Sequence, residues 1–165
     1  MKKILTAVAV VALLGLFFSW WFHPTNVLKR RAASFFETAE VPVTMSELAR
    51  SSRGPNIAEY LADHVEVIAP KNLEEDLRSG YSRDDAAAFY SGVARYCRQV
   101  SFLKPEAISV VHLGESNAKV ALRIDTIVEL PDRRPIDGIL KIETTWEKVD
   151  GRWLMDGISW EETPR

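Results

Sequence analysis

The stretch IDGILKIETTWEKVDGRWLMDGISWE, Ile136–Glu161, decides how this chain folds. From Leu140 it alternates: Leu140, Ile142, Thr144 and Trp146 fall on one side, Lys141, Glu143, Thr145 and Glu147 on the other. A period of two marks a strand with one buried face. Asp150-Gly151 offers the positive-φ turn that a two-residue hairpin needs, and WLMDGISW reads as the returning strand. A hairpin with tryptophan on both arms requires something large to cover one of its faces.

An unbulged turn sets Trp146 opposite Met155, Lys148 opposite Trp153 and Thr144 opposite Gly157, on the face turned toward the helices. Trp146, Trp153 and Met155 then read as core. Leu154, Asp156, Ile158 and Trp160 look outward beside Glu147, Thr145, Glu143 and Lys141. Leu154, Ile158 and Trp160, with Ile127 and Ile139 from neighbouring strands, would form an exposed apolar patch, a feature that marks partner surfaces. A one-residue bulge would instead send Trp160 inward. Both registers remain open at this level.

Working back along the chain, strands are predicted at 118–130 and 107–113, joined by turn-rich Gly114–Asn117 and Pro131–Arg134. Pro105 marks a boundary. Ser82-Arg83-Asp84-Asp85 opens a capped helix whose apolar stripe is Ala86, Phe89, Tyr90, Val93 and Cys97. Residues 70–81 read as loop or short helix. Thr44-x-x-Glu47 and Asn56-x-x-Glu59 have capping spacing, predicting helices at 45–53 and 56–62 with a strand at 64–69. Val27–Ala39 carries a helical stripe of Leu28, Ala32, Phe35, Phe36 and Ala39.

Ahead of this region, Ile4–Phe22 is nineteen residues without a charge, following Lys2-Lys3. At ~1.5 Å per residue a helix of that length nearly spans a ~30 Å hydrocarbon core. Trp20, Trp21 and Phe22 sit where an aromatic belt meets the interface, and no small-x-small cleavage site follows the run. The expected organisation is a signal-anchor at 1–23 and one folded domain at 24–165. Lys2 and Lys3 place the N-terminus in the cytoplasm and the domain in the periplasm or outside a bacterial-type cell. Secretion after signal-peptide cleavage is the alternative.

Composition narrows the function. The 165-residue chain is 47% hydrophobic and 27% charged with a formal charge of −2, so nothing draws it toward nucleic acid. Cys97 is the one cysteine, excluding an internal disulfide, and His23, His64 and His112 have no metal-ligand spacing. No metal or cofactor is expected.

Helices first and antiparallel strands afterwards give an α+β order. On YLADHVEVIAP (60–70), the capped helix 82–97 and TTWEKVDGRWLMDGISW (144–160), the domain resembles the nuclear transport factor 2-like superfamily, which includes SnoaL-like proteins and ketosteroid isomerases. The resemblance implies a cone of about three helices on a curved, mainly antiparallel sheet, with a cavity between the two layers. Tyr60, His64, Tyr90, His112 and Trp146 are its candidate lining residues. It also implies pairing through the outer sheet face, as a homodimer or with a protein partner, at Leu154, Ile158 and Trp160. Tethered relatives in type IV secretion machinery are an analogy for an assembly role.

Isomerases of this superfamily use a carboxylate base and hydroxyl-type donors in an apolar pocket. The inward faces assigned above present no Asp or Glu; their polar residues are His112, Thr126, Thr144 and Ser159. Asp63-His64 is a local acid–base grouping, but neighbours in an extended segment point to opposite sides. No catalytic residue is therefore assigned. The sequence reads as a membrane-anchored, non-catalytic binding or assembly module. The alternative is a small-molecule-binding protein or an isomerase- or hydrolase-type enzyme using the cone cavity.

Overall fold

The computed structural model describes residues 2–68, 70, 80–131 and 134–164. Helix α1 (Lys2–Trp21) leads into α2 (Pro24–Ala39), with Pro24 in the first turn, where its missing N–H costs nothing. Two short helices follow, α3 (Glu47–Ser51) and α4 (Arg53–Ala58), then β1 (Leu61–Ile68) and β2 (Gly80–Ser82). Helix α5 (Arg83–Tyr96) precedes four long strands: β3 (Gln99–His112), β4 (Asn117–Glu129), β5 (Ile136–Val149) and β6 (Arg152–Pro164). Most of the stretch read as loop or short helix, residues 71–79, lies outside the described residues.

The strands form one six-stranded sheet in the order β2-β1-β6-β5-β4-β3. Every described pairing is antiparallel except β1 with β6, which run parallel, so the sheet is mixed. Among the described residues, α2–α5, four helices rather than about three, supply the other layer. On β4, Val120, Leu122 and Ile124 are buried and alternate with more exposed residues. They pack with Leu28, Ala32 and Phe35 of α2 and with Trp146 and Trp153 of the hairpin. A second cluster of Val41, Ala94, Cys97 and Val100 joins the far end of α2 to α5 and β3. Cys97 is thus a buried small hydrophobe.

Several local expectations change. Strand β3 begins at Gln99 and carries Pro105 inside it, at a register shift between Leu103 and Glu106. Proline cannot donate to a ladder, and an irregular position on an edge strand is where a sheet tolerates it. Ser46, not Thr44, caps α3 by accepting from Ala49 N at 3.3 Å. The helix expected at 56–62 is α4, which starts earlier, at Arg53, and takes Gly54-Pro55 into its first turn. A Cβ on Gly54 would stand 2.0 Å from Ala87 O and 2.2 Å from Ser91 Oγ, so glycine here sets how closely α4 approaches α5. Ser82 caps α5 as expected, accepting from Asp85 N at 3.1 Å.

Arg50 closes this corner. Its guanidinium donates to the carbonyls of Ala94, Cys97 and Arg98 at the end of α5 and to those of Pro42, Val43 and Met45. Carbonyls at a helix end lack intrahelical partners, and one cation satisfies several of them at once.

The β5–β6 hairpin turns at Asp150 (φ 50°) and Gly151 (φ 79°). Trp146 opposes Met155 and Lys148 opposes Trp153, as in the unbulged register. The register then slips. Gly157 opposes Thr145 rather than Thr144, so Asp156 is an extra residue, and Ile158 opposes Thr144 while Trp160 opposes Ile142. One inserted residue moves every later side chain to the other face. Ile158 and Trp160 therefore turn inward, which corrects their placement on an outer patch. Leu154, ahead of the bulge, keeps the side opposite Trp153 and Met155 but is itself buried. No open apolar surface arises from these three residues.

Among the described side chains, α1 contributes none to either core cluster, and apolar side chains are exposed from Val10 to Trp21 and at Phe22 just after it. Its junction with α2 is nevertheless held. Asn26 Nδ2 donates to Trp20 O (2.8 Å), and Arg30 donates to Trp21 O (2.6 Å) with its guanidinium 4.1 Å from the centre of the Trp21 ring. Among the described residues no single helix is long and apolar enough to cross a membrane. Residues 10–21 and Pro24–Ala39 reach that length and composition only as a pair, bent by 57°. The apolar stripe of α2 is already buried in the domain.

Candidate functional site

Between the helices and the sheet lies a cavity of about 320 Å³. Helix α2 contributes Phe35, Phe36 and Ala39, and Phe102 comes from the start of β3. Tyr81, Ala86, Phe89 and Tyr90 come from β2 and α5. From the sheet, Val65 and Val67 of β1, Leu140 and Ile142 of β5, and Met155, Ile158 and Trp160 of β6 form the floor. The Asp156 bulge delivers the last two. Phe89 is 50% exposed and packs against Tyr81 (centroids 5.7 Å apart), which places the rim of the cavity between β2 and α5.

The lining is apolar almost throughout. Among the described residues around it there is no Asp, Glu, His, Lys or Arg. Its polar atoms belong to Tyr81, Tyr90 and the Trp160 indole. Tyr90 donates its hydroxyl to Ala39 O at the end of α2, and burial pushes its phenol pKa well above the ordinary value. A neutral phenol already committed to a backbone carbonyl is a poor proton donor to a substrate. The arrangement suits enclosure of an apolar molecule, with desolvation as the driving force.

Of the candidate lining residues, only Tyr90 borders this cavity. Tyr60 is packed into the core against Phe35 (5.9 Å), its hydroxyl 3.2 Å from Thr38 Oγ1 and its ring beneath the Arg31 guanidinium. Trp146 is 1% exposed and spent on packing, with Nε1 donating to Thr144 Oγ1 (2.8 Å), which donates to Val120 O. His112 is exposed at the end of β3, its Nε2 3.1 Å from Thr25 Oγ1. Ser159, expected inward, is turned out by the bulge and opposes Glu143.

His64 lies on the other side of β1, in an open groove with Asp63, Glu66, Gly80, Glu147 and Asp156. Its ring fills the space over Gly80, where a Cβ would stand 2.9 Å from Cε1 and Nε2. Asp63 pairs with Arg83 at 2.8 Å, so the Asp63-His64 grouping is not assembled as a base and its orienter. No set of three or more metal-ligating side chains converges among the described residues.

The residues that sequence reasoning missed are the floor and walls: Phe36, Phe102, Met155, Ile158 and Trp160. Their apolar stripes were legible, but a cavity is a gap between stripes from several elements, and no local pattern encodes a gap. Asp156-Gly157 was the one local clue. An isolated glycine inside a strand pattern is a bulge signal.

Solved structures with the same architecture share little sequence. A protein assigned as a scytalone dehydratase from Novosphingobium aromaticivorans superposes with a TM-score of 0.61 at 20% identity, covering 84% of this chain and 83% of its own. The fold is the nuclear transport factor 2-like cone. A protein assigned as a dehydratase of that family from Streptomyces avermitilis gives 0.59 at 10% identity, over 86% and 96% of the two chains. A hexachlorocyclohexane dehydrochlorinase from Novosphingobium barchaimii gives 0.58 at 12% identity, over 84% and 93%. No family profile and no curated protein matches this chain in sequence. At such identities the likeness concerns the fold alone.

Proposed function

We propose that this chain is a membrane-tethered small-molecule-binding protein, in which α1 holds a cone domain at a bilayer and the cavity takes an uncharged, apolar ligand. The observation that carries the reading is the cavity itself: about 320 Å³, walled almost wholly by apolar side chains. That is the room of roughly ten waters at ~30 Å³ each, in a setting where few of them would find partners. Enzymes among the structural neighbours share the cone, but chemistry of the isomerase kind needs a base inside it. No described lining residue supplies one, so the reading favours binding over catalysis. The tether rests on the exposed apolar side chains of α1 from Val10 on, ending in an interfacial Trp20-Trp21 pair with Phe22 just beyond the helix. Lys2 and Lys3 ahead of it argue for a cytoplasmic N-terminus and an external domain.

The test is titration of the fragment 24–165, which keeps both core clusters, with neutral N-phenyl-1-naphthylamine. Saturable one-to-one binding with energy transfer from Trp160 is expected, as is a loss of affinity of about tenfold or more when Ala86→Phe narrows the rim. Absence of saturable binding, or equal binding of a sulfonated analogue, would overturn the proposal.

A further inference from the structure

The end of the domain from which α1 departs carries features that neither the cavity nor the core uses. Two hairpin turns meet there. Lys148 N in the β5–β6 hairpin donates to Ser116 O in the β3–β4 turn (2.7 Å), and His112 beside that turn reaches Thr25 in the first turn of α2. Turns at the end of a sheet are ordinarily polar. Here Leu113 (58%) in the β3–β4 turn and Val111 (52%) and Val149 (41%) at the strand ends beside the turns are exposed, as are Trp20, Trp21 and Phe22 just ahead of α2.

We propose that this end is a lipid-docking surface, with both hairpin tips resting in the headgroup region of an anionic bilayer. The proposal rests on α1 lying in that bilayer. Charge selects the partner. The segments 23–31, 111–117 and 147–152, with Glu59 beside Arg31, hold Lys29, Arg30, Arg31, Lys148 and Arg152 against Glu59, Glu115, Glu147 and Asp150, a small cationic excess on a chain whose formal charge is −2. Lys29, Lys148 and Arg152 are exposed, and long cations around an apolar tip reach headgroup phosphates while their stems stay in contact with it. Geometry agrees. Arg30 and Asn26 donate to the last carbonyls of α1, which ties the end of the helix directly to α2.

The experiment uses the full chain in vesicles of phosphatidylethanolamine and phosphatidylglycerol carrying a quencher lipid at headgroup depth for positions 113, 149 and 95, and one at acyl-chain depth for position 11. A fluorophore is attached through Leu113→Cys or Val149→Cys, with Val11→Cys reporting α1 and Arg95→Cys reporting the distant end of α5; the native thiol of Cys97 is buried. Quenching at 113 and 149 at least about twofold above that at 95 is expected, and falls when Leu113→Glu is combined with the label at 149. Quenching at 11 with 113 and 149 equal to 95 overturns the docking surface and leaves the tether standing. No quenching at 11 overturns both. Labels at 113 and 149 that are shielded only by an added protein overturn it in favour of a protein interface.

Discussion

Helix α2 spans two halves of one sheet that are built from the same kinds of residue and end up in opposite conditions. Over its first half, where Thr25 meets His112 and Arg31 donates to Trp153 O, the space is filled by Trp146, Trp153 and Leu28. Over its second half, Phe35, Phe36 and Ala39 face Met155, Ile158 and Trp160 across an open cavity. The two halves are joined by β5 and β6, and the bulge at Asp156 separates them. Aromatic content alone therefore does not decide whether a region is core or container. What decides it is whether facing side chains can close the gap, and the inserted residue resets which ones face.

Truncation should separate the halves most strongly. Trp146→Ala empties a filled site and is expected to cost about 3–5 kcal/mol in denaturant unfolding, with its partner Thr144 left without the indole donor. Trp160→Ala enlarges a space that is already open, so its cost should be roughly half of that or less, while naphthylamine affinity drops. Equal costs at the two positions would mean that the second half is packed as tightly as the first.

A smaller effect sharpens the boundary between α2 and the cavity. Tyr90→Phe removes the donor to Ala39 O and should cost about 1 kcal/mol near neutral pH. Burial also holds this phenol neutral above its ordinary value of 10.0, so the unfolded chain sheds that proton first as pH rises. The contribution of the group is complete below pH 10.0 and declines above it. Unfolding followed from pH 8 to about 11 should show the wild type losing stability more steeply than the phenylalanine variant. Parallel curves would place Tyr90 in water.

Much of this architecture is readable from local pattern. The alternation from Leu140 to Trp146, the Asp150-Gly151 turn and the Ser82 cap each obey a rule that acts within a few residues, and each stands where the rule puts it. The site was less legible because it depends on register and on distant elements meeting. Trp146 and Tyr60 look like cavity aromatics in sequence and are consumed by packing. Ile158 and Trp160 look like an outer patch until one residue is added to the strand. Pro105 looks like a strand boundary because sequence does not show that β3 is an edge, where proline is tolerated. His64 lies on β1, beside the cavity wall, and faces away from it.

The bulge is the point on which the account turns, and thiol labelling reads it directly. Ile158→Cys and Ser159→Cys are each made in the fragment 24–165 and treated with a charged maleimide; Cys97 is buried and stays silent. If Asp156 is the inserted residue, position 159 reacts quickly, while position 158 reacts slowly and slows further when the cavity is occupied by naphthylamine. Fast labelling at 158 with protection at 159 would show the unbulged register, return Trp160 to the outer face and remove the cavity floor on which the proposed function rests.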